Sequence, residues 1–147
     1  MHATSGRARL AYEMTGAGDP VLLIHAGMTD RRSWRWLSSR LAPDHLVLTY
    51  DQRGYGETTY TPEPYSPVAD AVAVLDAAGI SRAAVVGCSM GGGAAVDLAL
   101  EHPGRVSRLA LIAPHSPADR GWRRTRSRST RWSRNWRPRS RPVTWPR

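Results

Sequence analysis

The sequence predicts an α/β fold in which a parallel sheet is sandwiched between layers of helices. Short apolar runs of strand length alternate with segments whose apolar residues recur at helical spacing. Most of these runs are continuous rather than alternating, which is typical of parallel strands buried on both faces. Glycine and proline stand where one predicted element gives way to the next.

The predicted elements follow the order β, β, α, β, α, β, α, β. "ARLAYEM" alternates as an early strand does, and "PVLLIHAG" is a continuous apolar run ending in glycine. A helix follows with Trp34, Leu37 and Leu41 on one face, and then the strand "HLVLTY". Pro67 begins the next helix and Gly79 stands just past its end. The strand "AAVVGC", the helix "SMGGGAAVDLALEH" and the strand "VSRLALIAP" complete the series.

Length and composition favour one domain without a membrane segment. The chain has 147 residues, and its longest apolar runs fall far below the ~18 residues of a membrane span. No signal peptide is expected, and a lone cysteine, Cys88, fits a reducing compartment, so the sequence predicts a cytoplasmic protein. It predicts no cofactor and no metal site.

The net charge of +9 is unevenly distributed along the chain. All 21 basic residues are arginine; ten fall in residues 1–119 and eleven in 120–147, whereas all 12 acidic residues fall in 1–119. The body therefore carries 10 − 12 = −2 and the end carries +11. We predict two parts: a partial α/β core over 1–114 and a disordered, basic Arg/Trp-rich tail over 115–147.

"VVGCSMGGGAAVDLALEHP" carries the clearest chemical signal. Gly87, Ser89 and Gly91 match the G-x-S-x-G pattern between a predicted strand and a predicted helix, the context that this pattern requires. Such a turn would expose a strained serine at a helix N-terminus, where developing negative charge is favoured. The alternative is a crossover of small residues with an incidental serine.

Four segments in order resemble the α/β-hydrolase superfamily: "HAGMTDRRSW", "YDQRGYGET", "VGCSMGG" and "ALEHPGRVSRLALIAP". The resemblance covers roughly residues 8–114 and is similar to esterase, enol-lactonase and cofactor-free perhydrolase-like members. It implies a small-molecule acyl substrate, with Ser89 as nucleophile and the Met90 N–H as one oxyanion donor. The second donor would be the Gly27 N–H, with Met28 the next candidate.

The resemblance also implies roles for neighbouring residues. His25 is expected to shape the oxyanion loop rather than act as the base. Asp51 and Arg53 are expected to hold the loop that follows their strand in place. Cys88 is expected to be a small packed residue rather than a reactive thiol.

A base and an acid for Ser89 are missing from the expected positions. In this family the acid and then the histidine follow the serine along the chain. His102 lies about three and a half turns beyond Ser89 on the same predicted helix, roughly 20 Å away. His115 and Asp119 precede the strands that would carry the family's base. The sequence thus resembles an α/β-hydrolase truncated after about the sixth strand, and we expect it to be inactive as written.

The tail "RGWRRTRSRSTRWSRNWRPRSRPVTWPR" has two interpretations. Arginine interleaved with tryptophan is able to bind phosphates and stack on bases, so a non-catalytic scaffold with a basic tail that binds nucleic acid or other polyanions is one alternative. The other is an out-of-frame reading of a GC-rich gene, since the chain contains no lysine and no phenylalanine. We favour the frameshift.

Overall fold

The structure is a computed structural model that describes residues 1–114. No helix in this described part is long and apolar enough to cross a bilayer. Short 3₁₀ helices, Arg31–Trp34 and Pro103–Arg105, precede α1 and β7. The strands and helices in chain order are β1 His2–Ser5, β2 Ala8–Thr15, β3 Asp19–Ile24, α1 Arg35–Leu41, β4 His45–Tyr50, β5 Thr59–Tyr60, α2 Pro67–Ala77, β6 Ala83–Cys88, α3 Met90–Glu101 and β7 Val106–Ile112.

The strands form one mixed sheet in the order β1-β2-β4-β3-β6-β7, with β5 paired to β2. The four strands β4, β3, β6 and β7 are parallel, whereas β1, β2 and β5 pair antiparallel. Helices pack on the sheet, so the predicted α/β fold is confirmed. β1 and β2 are antiparallel because they are joined by a turn at Gly6, φ 56°, and so short a connection joins only antiparallel neighbours.

All five predicted strands and three predicted helices occur, and two short strands are additional. β1 and β5 contain only four and two residues, too few to establish a hydrophobic period. The start of α2 follows the predicted pattern: the Ser66 side chain accepts the Ala69 N–H at 3.3 Å, and Pro67 occupies the first turn. Gly79 follows its end with φ 70°.

The core lies on both faces of the sheet. Leu22 and Ile24 of β3 pack into the larger cluster beneath α2 and α3, while Val21 and Leu23 face the smaller cluster around Trp34. Successive side chains of a strand point to opposite faces, so a strand covered on both faces must be apolar throughout. This explains the continuous run "VLLI", and each large side chain so buried contributes about 1.5–3 kcal/mol.

β7 is an edge of the sheet within the described part of the chain, and it is poorly covered. Leu109, Leu111 and Ile112 are 40%, 39% and 48% exposed, although they belong to a strand paired with β6. An uncovered apolar edge strand is a site for pairing with further chain. The predicted tail, 115–147, lies outside the described residues.

Candidate active site

Ser89 occupies a strained turn between β6 and α3. Its backbone has φ 49° and ψ −113°, and it is the N-cap of α3. Its N–H donates to the Ile112 carbonyl at 2.9 Å, and its own carbonyl accepts the N–H groups of Gly92 and Gly93 at 3.0 and 3.2 Å. A non-glycine residue holds a positive φ only where its surroundings enforce it, and such strain concentrates at functional sites.

The glycines on either side of Ser89 are required by close backbone approach. A methyl group on Gly87 would lie 2.5 Å from the Gly91 carbonyl oxygen and 2.8 Å from the Ala95 Cβ. A methyl group on Gly91 would overlap the carbonyl oxygens of Ile24 and His25. The strand, the turn and the helix therefore pack more closely than any side chain at positions 87 and 91 would permit.

The loop after β3 brings Gly27 against Met90. A methyl group at Gly27 would lie 3.6 Å from the Met90 Sδ and 3.7 Å from its Cβ, which is ordinary van der Waals contact. Met90 is the first residue of α3, and the first four N–H groups of a helix lack an intrahelical acceptor. Met28 has φ 63° and is 95% exposed. Ser89, Met90 and Gly27 therefore lie close together, just beyond the carboxyl ends of β3 and β6.

His25 is fully buried and both of its ring nitrogens are engaged. The Gln52 backbone N–H donates to the His25 Nε2 at 3.0 Å, so Nε2 is an acceptor and the ring proton lies on Nδ1. That Nδ1–H donates to the Ala26 carbonyl at 2.7 Å. The Gln52 side chain donates in return to the His25 carbonyl at 2.7 Å. His25 thus joins the two loops, as a loop-shaping residue would.

The surroundings of His25 favour its neutral form. Burial lowers the pKa of His25 below its ordinary value, against the opposing effects of the hydrogen bond to Ala26 and of the Asp51 and Asp30 charges. Protonation would place a hydrogen on Nε2, where the Gln52 N–H now donates. A charged ring is therefore incompatible with the observed junction between the loops.

Asp51 anchors the same two loops through its buried carboxylate. One oxygen accepts the Arg31 backbone N–H at 2.7 Å, and the other accepts the Glu57 N–H at 2.8 Å and pairs with the Arg31 guanidinium. The Arg31 guanidinium also reaches Glu57 at 2.8 Å and Glu13 at 3.1 Å. Asp51 thereby connects the loop after β4 to the 3₁₀ helix that follows the Gly27 loop.

Arg53 forms a second buried cluster. Its guanidinium makes two hydrogen bonds of 2.9 Å to Asp70 of α2, and the two side chains are each only 3% exposed. It also binds Glu63 at 2.7 Å and the Ser5 carbonyl at 2.8 Å. These contacts agree with the loop-holding role expected of Asp51 and Arg53.

A cavity of about 330 Å³ lies beside Met90, between the loop after β4, the start of α2 and one face of α3. Tyr55 and Tyr65 are among the residues that line it, together with Gln52 and Ala94. The Tyr55 hydroxyl lies 3.6 Å from the position that a methyl group on Gly27 would occupy. The cavity therefore adjoins the point where Gly27 and Met90 meet.

The other candidates lie away from Ser89 or outside the described part. Cys88 is half-buried and packs against the smaller core cluster, as expected of a packed residue. His102 follows the last residue of α3, at the opposite end of that helix from Ser89. His115 and Asp119 lie outside the described residues.

Sequence reasoning missed several residues that organise this site. Gln52 stands between two residues of a recognised loop pattern, yet nothing in its identity indicates a bond to His25. Arg31 and Thr29 belong to a loop of ordinary polar composition, and Tyr55 to a glycine-rich one. In two cases, Arg31 with Asp51 and His25 with Gln52, the contacts join residues twenty or more positions apart. Local sequence patterns do not reveal such contacts.

Comparison with known proteins supports the α/β fold. The family described as the alpha/beta hydrolase fold matches residues 19–144. A 2-hydroxymuconate semialdehyde hydrolase from Pseudomonas sp. (strain CF600) is 40% identical in an alignment over 108 residues that covers 67% of this chain and 37% of that protein. The chain belongs to the alpha/beta hydrolase family.

Solved structures show the same likeness. An alpha/beta hydrolase from Sphaerobacter thermophilus DSM 20745 superposes with a TM-score of 0.69 at 35% identity, covering 78% of this chain and 44% of that one. Est816, described as an N-acyl homoserine lactone degrading enzyme, gives a TM-score of 0.74 at 32% identity, covering 78% and 45%. The chain thus spans less than half the length of these relatives.

Proposed function

We propose that this chain carries the nucleophile and the oxyanion donors of a serine hydrolase that cleaves ester or lactone bonds. The observation that supports this most strongly is the strained backbone of Ser89, φ 49°, at the start of α3, next to the contact between Met90 and Gly27. A loose crossover with an incidental serine has no need of that strain or of the glycines that permit it.

In this proposal the Ser89 hydroxyl attacks the carbonyl carbon of an acyl substrate and its proton passes to a base. The carbonyl oxygen becomes an oxyanion that accepts hydrogen bonds from the Met90 and Gly27 N–H groups. Each such donor stabilises the tetrahedral intermediate by about 3–4 kcal/mol. The adjoining cavity would receive one side of a small substrate.

We further propose that the 147-residue chain hydrolyses esters little or not at all. A serine hydroxyl needs a base to remove its proton. Within the described residues His25 uses both ring nitrogens in loop contacts and His102 lies at the far end of α3. More than half of the length of each relative lies outside the region matched to this chain, and under this proposal the base would come from such a segment.

A chimera tests the assignment of Ser89. Residues 1–114 would be joined to the C-terminal part of the Pseudomonas semialdehyde hydrolase that follows the matched region, and hydrolysis of p-nitrophenyl acetate would be measured. We expect hydrolysis by the chimera, lost by at least a hundredfold in Ser89→Ala. A folded chimera whose rate is the same with Ser89→Ala would contradict the proposal.

The unaltered chain tests the proposed inactivity. We expect its hydrolysis of the same ester to equal that of its Ser89→Ala variant. A Ser89-dependent rate in the unaltered chain would show that a base is present and that the inactivity proposal is wrong. Cys88→Ala is the matched control in both chains, since it changes the neighbouring small side chain and leaves the hydroxyl.

The origin of residues 115–147 has its own test. The frameshift proposal expects that DNA from about codon 110 onward continues in another frame into an acidic segment, an aspartate and a late histidine. Independent isolates that read cleanly in the given frame would contradict it.

A polyanion-binding tail is the second candidate, supported by the +11 charge of residues 120–147. Under this alternative, salt-dependent retention on DNA disappears when 120–147 are deleted. Retention that survives the deletion would contradict it.

A further inference from the structure

The carbonyl of Ala26 receives two hydrogen bonds from its own loop. The His25 Nδ1–H donates to it at 2.7 Å, and the Thr29 hydroxyl donates to it at 2.8 Å. The proton on His25 Nδ1 is itself fixed, because the Gln52 N–H occupies Nε2 at 3.0 Å. Two donors from different positions restrain a carbonyl against rotation more strongly than a single donor does.

The Ala26 carbonyl belongs to the same peptide unit as the Gly27 N–H. Peptide units are planar, and residues 1–114 contain no cis peptide bond, so this N–H points opposite to the carbonyl. Whatever holds the Ala26 oxygen therefore also directs the Gly27 N–H. That direction leads away from His25 and Thr29.

Within residues 1–114, the Ala26 carbonyl and the Gly27 N–H make no other hydrogen bond. Gly27 adopts many backbone conformations readily, so a peptide preceding it flips more easily than others. Met28 is 95% exposed and Thr29 is also exposed, so side-chain packing holds this part of the loop weakly. The orientation of the peptide thus depends on the two hydrogen bonds to Ala26.

We propose that Thr29 is a positioning residue that, together with His25, aims the Gly27 N–H as the second oxyanion donor. This inference rests on the proposed function, in which Gly27 supplies that donor. Thr29 does not touch the substrate; it acts through the Ala26–Gly27 peptide. Its hydroxyl is the necessary group, and its methyl group is not.

Two substitutions separate the hydroxyl from the shape of the side chain. Thr29→Val keeps the shape and removes the hydroxyl, whereas Thr29→Ser keeps the hydroxyl and removes the methyl group. Because Thr29 is exposed, we expect both variants to fold. Residual dipolar couplings of backbone amides report the direction of each N–H bond. They would be measured at concentrations at which sedimentation shows that the chain is monomeric.

We expect the Gly27 coupling and the Ala26 carbonyl carbon shift to change in Thr29→Val, while the couplings of β3 stay as they are. Thr29→Ser should retain the original Gly27 and Ala26 values. An unchanged Gly27 coupling in Thr29→Val would overturn the proposal. So would an equal change in both variants, which would indicate a role for shape alone.

Phenylboronic acid gives a functional readout, because its tetrahedral adduct with a serine places an oxygen in the oxyanion hole. Binding should weaken roughly tenfold in Thr29→Val, recover in Thr29→Ser and vanish in Ser89→Ala. If the unaltered chain forms no adduct, no base has taken up the Ser89 proton; the chimera then tests the proposed function, and the Gly27 coupling decides the role of Thr29. If Thr29→Val binds as tightly as the unaltered chain, Thr29 does not aim the donor.

Discussion

Gly91, in the first turn of α3, lies directly against the backbone carbonyl oxygen of His25. A methyl group at this position would overlap that oxygen and the carbonyl oxygen of Ile24. Both are backbone atoms at the end of the central strand β3, so neither is able to rotate aside. The contact sets how closely α3, and with it Ser89, approaches the loop that carries Gly27.

We expect Gly91→Ala to lower the free energy of unfolding by about 1–3 kcal/mol or more, because overpacking outweighs the ~1 kcal/mol by which alanine favours a helix. Gly104→Ala is the control, since a methyl group there meets nothing within 4 Å; it should change stability by less than about 0.5 kcal/mol. Urea unfolding measures both. Equal effects of the two substitutions would refute the close contact.

We expect Asp70→Ala to destabilise the fold by about 3–5 kcal/mol, because it leaves the buried Arg53 guanidinium without its bidentate partner. Asp76→Ala removes a pair with Arg105 whose carboxylate is 62% exposed, and should cost at most about 1 kcal/mol. Urea unfolding of both variants at one pH provides the comparison. A loss of similar size in the two would show that burial of the Arg53 pair has no energetic consequence.

We expect stability to fall as the pH drops below about 6.5, the pKa of an unfolded histidine. Burial lowers the pKa of His25 in the folded state, so between the two pKa values the unfolded chain binds more protons and acid favours unfolding. The loss is complete below the folded pKa. Unfolding free energies measured from about pH 8 to about pH 5 follow this window before most carboxylates titrate.

Two variants assign that pH dependence to one residue. His25→Gln should flatten the profile in this window, whatever its overall stability. His102→Gln, at the exposed end of α3, should leave the profile unchanged. If the profile flattened with His102→Gln and not with His25→Gln, the prediction that His25 causes the pH dependence would be wrong.

We expect the chain to self-associate through β7 as its concentration rises. Leu109 and Leu111 are exposed on an edge strand of the described sheet, and exposed apolar edges pair with other strands. Leu111→Lys should shift sedimentation toward the monomer, since charge on an edge opposes such pairing. Leu100→Lys, at a residue 75% exposed on α3, is the matched control and should leave association as it was.

The parallel strands of the sheet could be predicted from the sequence because they are buried on both faces. The runs "VLLI" and "AAVV" are continuous for that reason, and Pro67 and Gly79 mark the ends of α2 through backbone chemistry alone. The turn at Ser89 was recognisable because glycine is needed at positions 87 and 91, where a side chain would clash with neighbouring backbone. Each of these signals lies within a few residues of the feature that it predicts.

The antiparallel strands and the links between the loops were not predictable in this way. β5 has two residues, and its pairing with β2 depends on a partner fifty positions away in the chain, Arg9 with Thr59. The bond from Gln52 to His25 likewise exists only because β3 and β4 end side by side. A single sequence records the residue types at such places but not their contacts.

The parallel pairing of β3 with β6 also bears on the order of folding. Val21 lies opposite Ala84, so this pair closes 84 − 21 = 63 positions of chain, whereas Val21 and its β4 neighbour Val47 close only 47 − 21 = 26. Closing a longer loop costs more conformational entropy before any contact forms to offset it. Folds rich in distant contacts therefore form more slowly. We therefore expect the β3–β4 unit to assemble first and Ser89 to reach its strained conformation late, after most of the folding barrier is crossed.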